Sequence, residues 1–353
     1  MTDRTNRRYG FARAMLAFCF ASLWGMAQAA QPSGLSEPAV EETQPPIPAA
    51  GASQIDDRRD RIAGLARDCE SDDGDACAKL GYIYHEGDGV SKDDARATAL
   101  FARACHLDDM TGCSMAGYAY SVGAGVERSH ALAASYYAFA CERGEATACS
   151  NLGLAYIGGE GVPKDPKRAV RLFKQACNLN DMSGCANLGA SYSLGKGVAR
   201  NQRQAALLFE RACEADDQHA CYNLGVLHRD GLGMPRNYKQ ALALFQQSCG
   251  VDEAAACGNL AMMVNDGRGV RRDRRRALEL FDRACQFGEA ESCFTLGRAY
   301  QTGKGIEPDA ARAIELLERA LALDPDTESA VDARKALDAA RGAGASPRSP
   351  DAQ

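Results

Sequence analysis

The fifteen cysteines are the residues of this chain best equipped for chemistry, and their spacing limits what that chemistry can be. Cys19 stands apart. From Cys69 to Cys293 the remaining fourteen alternate at intervals of 8 and 28, a period of 36. Thiols can hold zinc, exchange electrons, attack electrophiles or form disulfides. Zinc sites need four ligands, often two Cys-x-x-Cys pairs. The five histidines, His85, His106, His130, His219 and His228, follow no period that would complete such sets. A thiol relay needs one distinctive reactive pair, whereas these pairs stand in identical contexts. Disulfides fit best. Two pairings suit a helical hairpin: cysteines 28 apart within a unit, which would strand Cys69 and Cys293, or cysteines 8 apart across a junction, which uses all fourteen.

Other chemistry is thinly represented. Ser193-Leu-Gly-Lys196 matches a Ser-x-x-Lys element, but no Ser-Asp-Asn or Lys-Thr-Gly accompanies it. The Gly-x-Gly turns lack the preceding strand and trailing Lys-Ser/Thr of a phosphate loop. His228 reads as an inter-helix packing residue, and no pair of carboxylates stands out as an acid–base couple. No cofactor or metal is implied.

The elements that position these cysteines repeat with them. Leu80-Gly81, Leu152-Gly153, Leu188-Gly189, Leu224-Gly225 and Leu296-Gly297 share one register, followed three residues later by Tyr84, Tyr120, Tyr156, Tyr192 or Tyr300, with His228 and Val264 filling the other two places. A glycine turn comes next, as in Gly159-Glu-Gly161-Val162, and then a second apolar-periodic run such as Asp165-Pro166 through Ala169, Leu172, Phe173 and Ala176. Apolar residues spaced by three and four mark both runs as amphipathic helices. Asp or Asn caps the second, and Pro166 suits its first turn. Each unit is therefore helix A, turn, helix B, and such pairs stack because one pair cannot bury its own apolar face.

The Leu-Gly-x-x-Tyr-x-x-Gly-x-Gly-Val run and the later Ala-x-x-Leu-Phe-x-x-Ala-Cys run resemble Sel-one-like repeats, relatives of tetratricopeptide repeats. The cysteine pair in every unit is similar to the cysteine-rich Hcp-type branch. The resemblance covers about residues 56–323 and implies an all-α, right-handed superhelical solenoid of seven 36-residue repeats. It points to the pairing of cysteines 8 apart: Cys69–Cys77, Cys105–Cys113, Cys141–Cys149, Cys177–Cys185, Cys213–Cys221, Cys249–Cys257 and Cys285–Cys293. It also implies an alternative function, penicillin binding or weak β-lactam hydrolysis, catalogued for Hcp-type proteins.

The ends read differently. Arg4, Arg7, Arg8 and Arg13 precede the apolar stretch from Ala14 to Met26, and Ala27-Gln28-Ala29 offers a cleavage site, so residues 1–29 read as a signal peptide. Residues 30–55 read as a flexible linker, 56–323 as the array with only a partial unit before Cys69, 324–341 as a C-terminal capping helix and 342–353 as a disordered tail. A periplasmic or secreted destination follows, where disulfides persist. The net charge is −6, and cleavage after Ala29 would make the mature chain more acidic. Nucleic-acid partners and stable membrane insertion are therefore not expected. Arg271–Arg276 is a cluster on one repeat and reads as a solvated patch.

Helical phase suggests where binding could occur. On helix A, the residue before Leu and the residue two after it point away from the arc that holds Leu, Gly and Tyr. The first register holds Lys79, Met115, Asn151, Asn187, Asn223, Asn259 and Thr295; the second holds Tyr82, Tyr118, Leu154, Ala190, Val226, Met262 and Arg298. Asn amides both donate to and accept from a peptide backbone, and the apolar groups add buried area. The resemblance places the A helices on the concave side of the stack. The expected function is an interaction scaffold for a protein or peptide ligand.

Overall fold

The computed structural model describes residues 50–250, 253–326 and 328–344. The segment read as a signal peptide, most of the linker and the end of the tail lie outside them. Sixteen α-helices and no strand occur among the described residues. The A helices are α2 (Gly74–Glu86), α4 (Met110–Val122), α6 (Ala146–Gly158), α8 (Met182–Leu194), α10 (Gln218–Asp230), α12 (Ala254–Asp266) and α14 (Ala290–Thr302). The B helices are α3 (Asp94–His106), α5 (His130–Glu142), α7 (Pro166–Asn178), α9 (Gln202–Glu214), α11 (Tyr238–Ser248), α13 (Arg274–Gln286) and α15 (Ala310–Leu323). α1 (Ala50–Glu70) precedes them and α16 (Glu328–Gly344) follows. Two compact units emerge: the first ends at Ala148 and includes the turn Gly159–Pro163, and the second holds Cys149–Gly158 and continues from Lys164.

Local chemistry explains each hairpin. Asp181 accepts from the Gly184 N–H at the start of α8, and Asp165 accepts from Arg168 N–H at the start of α7, with Pro166 at the first helical position. The caps satisfy donors that a helix start leaves unpaired. The backbone N–H of each B-helix cap also reaches back to the carbonyl of the Tyr register, as in Asp165 to Tyr156 (2.9 Å), Asn201 to Tyr192 (2.9 Å) and Asn237 to His228 (2.9 Å). This bond uses backbone alone, which is why His228 and Val264 can replace Tyr.

The Leu-Gly register has a packing cause. Phe101, Phe173, Phe209 and Phe245 are fully buried on the B helices. A Cβ added to Gly81, Gly153, Gly189 or Gly225 would lie 2.5–2.9 Å from the facing ring, so helix A must be bare there. Each buried ring stabilises its hairpin by about 1.5–3 kcal/mol. In the second unit these layers merge into continuous clusters: Phe209 sits with Leu224 and Leu227, and Phe245 with Leu260, Phe281 and Leu296.

The junction between one B helix and the next A helix is short and stapled. Six bridges join cysteines eight apart with Cα separations of 4.4–4.7 Å, and Cys141 and Cys149 are disulfide-bonded as well. These six bridges join cysteines in the pairs expected from the sequence. The second cysteine of every pair is completely buried.

Both ends depart from expectation. A partial unit from Ile62 was expected before Cys69, but α1 is a full helix starting at Ala50, inside the segment read as a linker. It serves as a B-type helix for α2, bridged by Cys69–Cys77, and Arg58 and Arg61 pair with Asp88 in the first glycine turn (2.7 and 3.1 Å). At the other end, α16 runs to Gly344, past the boundary read at 341. Ala330, Ala333, Ala336, Leu337 and Ala340 are buried, and Gln301 Nε2 donates to the Ala336 carbonyl (2.9 Å), so α16 covers the apolar face that α14 and α15 leave open.

Candidate peptide-binding face

In the second unit, Asn151, Asn187 and Asn223 are half-buried along α6, α8 and α10. Among the described residues none of the three side-chain amides has a hydrogen-bond partner, and Asn223 Oδ1 is buried in that state. Leu154, Val226 and Met262 are half-buried, and Val226 and Met262 pack against the cluster around Phe245 and Leu260. Half of each apolar group is thus consumed by the fold, and half remains for a ligand.

Asn259 departs from the expectation that it faces solvent. It is 2% exposed. Its Nδ2 donates to the Ala255 carbonyl (2.8 Å), and its Oδ1 accepts from Arg229 of the preceding repeat. Tyr222, also from the preceding repeat, hydrogen-bonds to the same amide, and burial pushes its phenol up to about 12. Burial opposes the charge on Arg229, but the bidentate contact with Asp230 (2.8 and 2.7 Å) outweighs it. Asn259 is therefore a brace between α10 and α12. Phase on one helix could not reveal this, because the groups that bury Asn259 come from another. The available signal was composition: Tyr222 stands where four other repeats carry Ala or Ser. Arg229→Ala is expected to cost about 2 kcal/mol, because it orphans a buried carbonyl oxygen. Urea unfolding reads this, and the double change with Asn259→Ala should fall well short of additivity.

In the first unit the same registers carry Tyr82 and Tyr118. Tyr82 is 38% exposed, with its ring edge-on to Phe101 at 5.3 Å. Burial, then the charges of Glu145 and Asp109, raise its phenol pKa. Tyr118 is half-buried. The outward register carries tyrosines in the first unit, and the second unit's is rich in amides.

The remaining reactive groups are occupied. All fourteen array cysteines are bonded. The Ser193 hydroxyl donates to Gln202 Oε1 (3.2 Å), and Gln202 Nε2 returns a bond to the Ser193 carbonyl (3.0 Å), which fixes that side chain to α9. His85 contacts the carboxylates of Asp94 (2.7 Å) and Glu86 (3.9 Å), and His219 contacts that of Glu253 (2.6 Å). Burial lowers the His228 pKa, as a packing residue would show. No cluster of three or more metal-ligating side chains occurs among the described residues, and no described helix is long and apolar enough to cross a membrane.

Paired helices at a 36-residue period, a glycine turn and a stapling disulfide define a disulfide-linked α-hairpin repeat protein. The Sel1 repeat model matches residues 74–109, 112–145, 146–181, 183–217, 218–249, 254–286 and 290–325, and the chain belongs to the Sel1 repeat family. It is similar to a protective antigen with an SLR fold from uropathogenic Escherichia coli, at 27% identity over 80% of this chain and a TM-score of 0.66; the match spans 60% of that antigen. A Sel1 repeat protein from Oxalobacter formigenes is 25% identical over 69% of this chain and 96% of its own, with a TM-score of 0.63. Cysteine-rich protein B of Helicobacter pylori is 35% identical over 37% of this chain and 93% of its own, with a TM-score of 0.31. No curated protein sequence matches.

Proposed function

We propose that the protein is an exported scaffold, periplasmic or secreted, that binds an extended protein or peptide segment along the outward registers of its A helices. Membership in a repeat family that generally serves protein–protein interaction supports the class of function. Fourteen bonded cysteines support an oxidising location. The observation that carries the site is the row of unpartnered amides Asn151, Asn187 and Asn223. Buried polar atoms in folded proteins are normally hydrogen-bonded. A peptide backbone beside Asn223 would donate to its Oδ1 and accept from its Nδ2, while Leu154 and Val226 cover apolar side chains of the ligand. Tyr82 and Tyr118 would offer rigid amphipathic contacts in the first unit.

A peptide selected from a phage-displayed library against the exported chain tests this. Asn187→Ala with Asn223→Ala is expected to weaken that peptide about tenfold or more, since each lost pair leaves a ligand group unsatisfied. Removing the unpartnered Oδ1 should leave the melting temperature unchanged or higher. An affinity equal to that of the parent would rule this face out. Intact mass of the same preparation reads the cleavage expected after Ala29.

A further inference from the structure

We propose a second docking surface, independent of the first, on the edge where α7, α9, α11 and α13 begin, and its partner is an acidic, extended polypeptide segment. One row consists of the residues just before the helix caps: Lys164, Arg200, Arg236 and Arg272. A second row occupies the second helical position: Lys167, Arg203, Lys239 and Arg275. Both rows are basic in four consecutive repeats, and all eight side chains are exposed.

Stability does not explain the second row. The N-terminal turn of a helix carries partial positive charge, so carboxylates are favoured there and cations disfavoured. None of these four helices has an acidic residue in its first turn. The second row is confined to these four helices: alanine holds its position in α3 (Ala95), α5 (Ala131) and α15 (Ala311). The first row ends at Pro308 before the α15 cap, and the first unit carries Lys92 and Arg128 at the same position, without a second-row cation beside them.

The cations are also little neutralised. Arg275 pairs with Glu279 (3.4 Å), and Arg236 donates to the Tyr238 hydroxyl (3.4 Å). The other six have no carboxylate partner among the described residues. Half-buried Lys196, in the turn between α8 and α9, has its pKa lowered by burial and by Lys164, so positive charge crowds this edge. The rows are continuous because the turns stack. A Cβ on Gly197 would lie 2.1 Å from the Pro166 carbonyl oxygen at the start of α7, and one on Gly233 2.4 Å from the Gln202 backbone at the start of α9. Arg271–Arg276, an isolated cluster in the linear sequence, is one end of this strip.

The strip's spacing selects the partner. Successive cations of a row are separated by roughly one helix diameter, about 10–12 Å. An extended peptide covers that span in three or four residues at about 3.3 Å each. Duplex DNA carries a charge about every 1.7 Å, and would meet the cap carboxylates of Asp165 and Asp273 as well as a chain of net charge −6. A bilayer would require inserted apolar groups, and the exposed large apolar side chains of this unit, Leu179, Leu207, Leu323 and Val331, all lie outside these first turns.

The test is fluorescence anisotropy of a labelled sixteen-residue poly-glutamate probe with the full exported chain. Binding is expected to weaken severalfold between about 50 and 200 mM salt, as exposed charge contacts are screened. The variant Lys167→Gln/Arg203→Gln/Lys239→Gln/Arg275→Gln should lose about tenfold or more in affinity. Its melting temperature should not fall, because the removed charges oppose the helix dipoles. Asn187→Ala/Asn223→Ala should leave the probe's affinity unchanged, which separates this surface from the A-helix face. The proposal is overturned if the quadruple variant binds the probe as tightly as the parent. It is equally overturned if duplex DNA or phosphatidylserine vesicles bind in preference to poly-glutamate.

Discussion

Complete reduction of the disulfides is expected to lower the melting temperature by about 20 °C or more and to abolish helical circular dichroism at 37 °C. Each bridge closes a loop of eight residues, and the chain-entropy model assigns about 2.5 kcal/mol to a loop of that size. Fourteen bonded cysteines make seven such contributions. Their sum exceeds the roughly 5–15 kcal/mol that holds a typical domain folded. Near 200 residues, each kcal/mol moves the midpoint by about 2–4 °C. Loss of one bridge should stay local, because a repeat array is stabilised by neighbour contacts. Cys213→Ala/Cys221→Ala should cost about 2–3 kcal/mol. Amide exchange should accelerate in α9 and α10 ahead of α14 and α15. A reduced chain that melts within a few degrees of the oxidised one would mean that ring-against-glycine packing suffices, with the bridges adding little.

The packing was legible wherever one residue position decides it. A cysteine every 8 and 28 residues, a bare glycine opposite a buried ring and an Asp or Asn cap each act within one hairpin or across one short junction. The period therefore located them. What escaped depended on groups far apart in sequence. Asn259 lies on the outward arc of its own helix, and only the side chains of Tyr222 and Arg229 enclose it. The two basic rows escaped for a related reason: a scan for neighbouring charges finds Arg271–Arg276, while cations 36 residues apart meet only when the turns stack. α1 was underestimated because its first turns carry weak apolar periodicity, and the bridge to α2 together with the Asp88 contacts compensates for it. Phase on a single helix turns the proposed binding registers away from the core, whereas Asn187 on α8 and Asn223 on α10 are half-buried, because neighbouring helices cover part of each.

Gly197→Ala should be among the most damaging single changes in the second unit, costing about 3–5 kcal/mol, while Gly195→Ala two residues away should cost only about 1–2 kcal/mol. Both glycines sit in the left-handed region, at φ +70 for Gly195 and +78 for Gly197, so a side chain is strained at either position. Surroundings separate them. A Cβ on Gly195 would meet the Arg200 side chain at 3.3 Å, a contact that a few tenths of an ångström relieves. On Gly197 the same atom would lie 2.1 Å from the Pro166 carbonyl oxygen and 2.4 Å from its carbon. Those are backbone atoms at the start of α7, held by the Asp165 cap, and they cannot move without displacing the preceding repeat. The second substitution must therefore open the contact between two stacked turns, and with it the continuity of the basic rows. Urea unfolding of the two variants side by side reads the difference. Equal losses would show that backbone strain alone sets the cost and that the turns do not bear on one another. A larger loss at Gly197, with weaker poly-glutamate binding in the fraction that remains folded, is the outcome that close stacking requires.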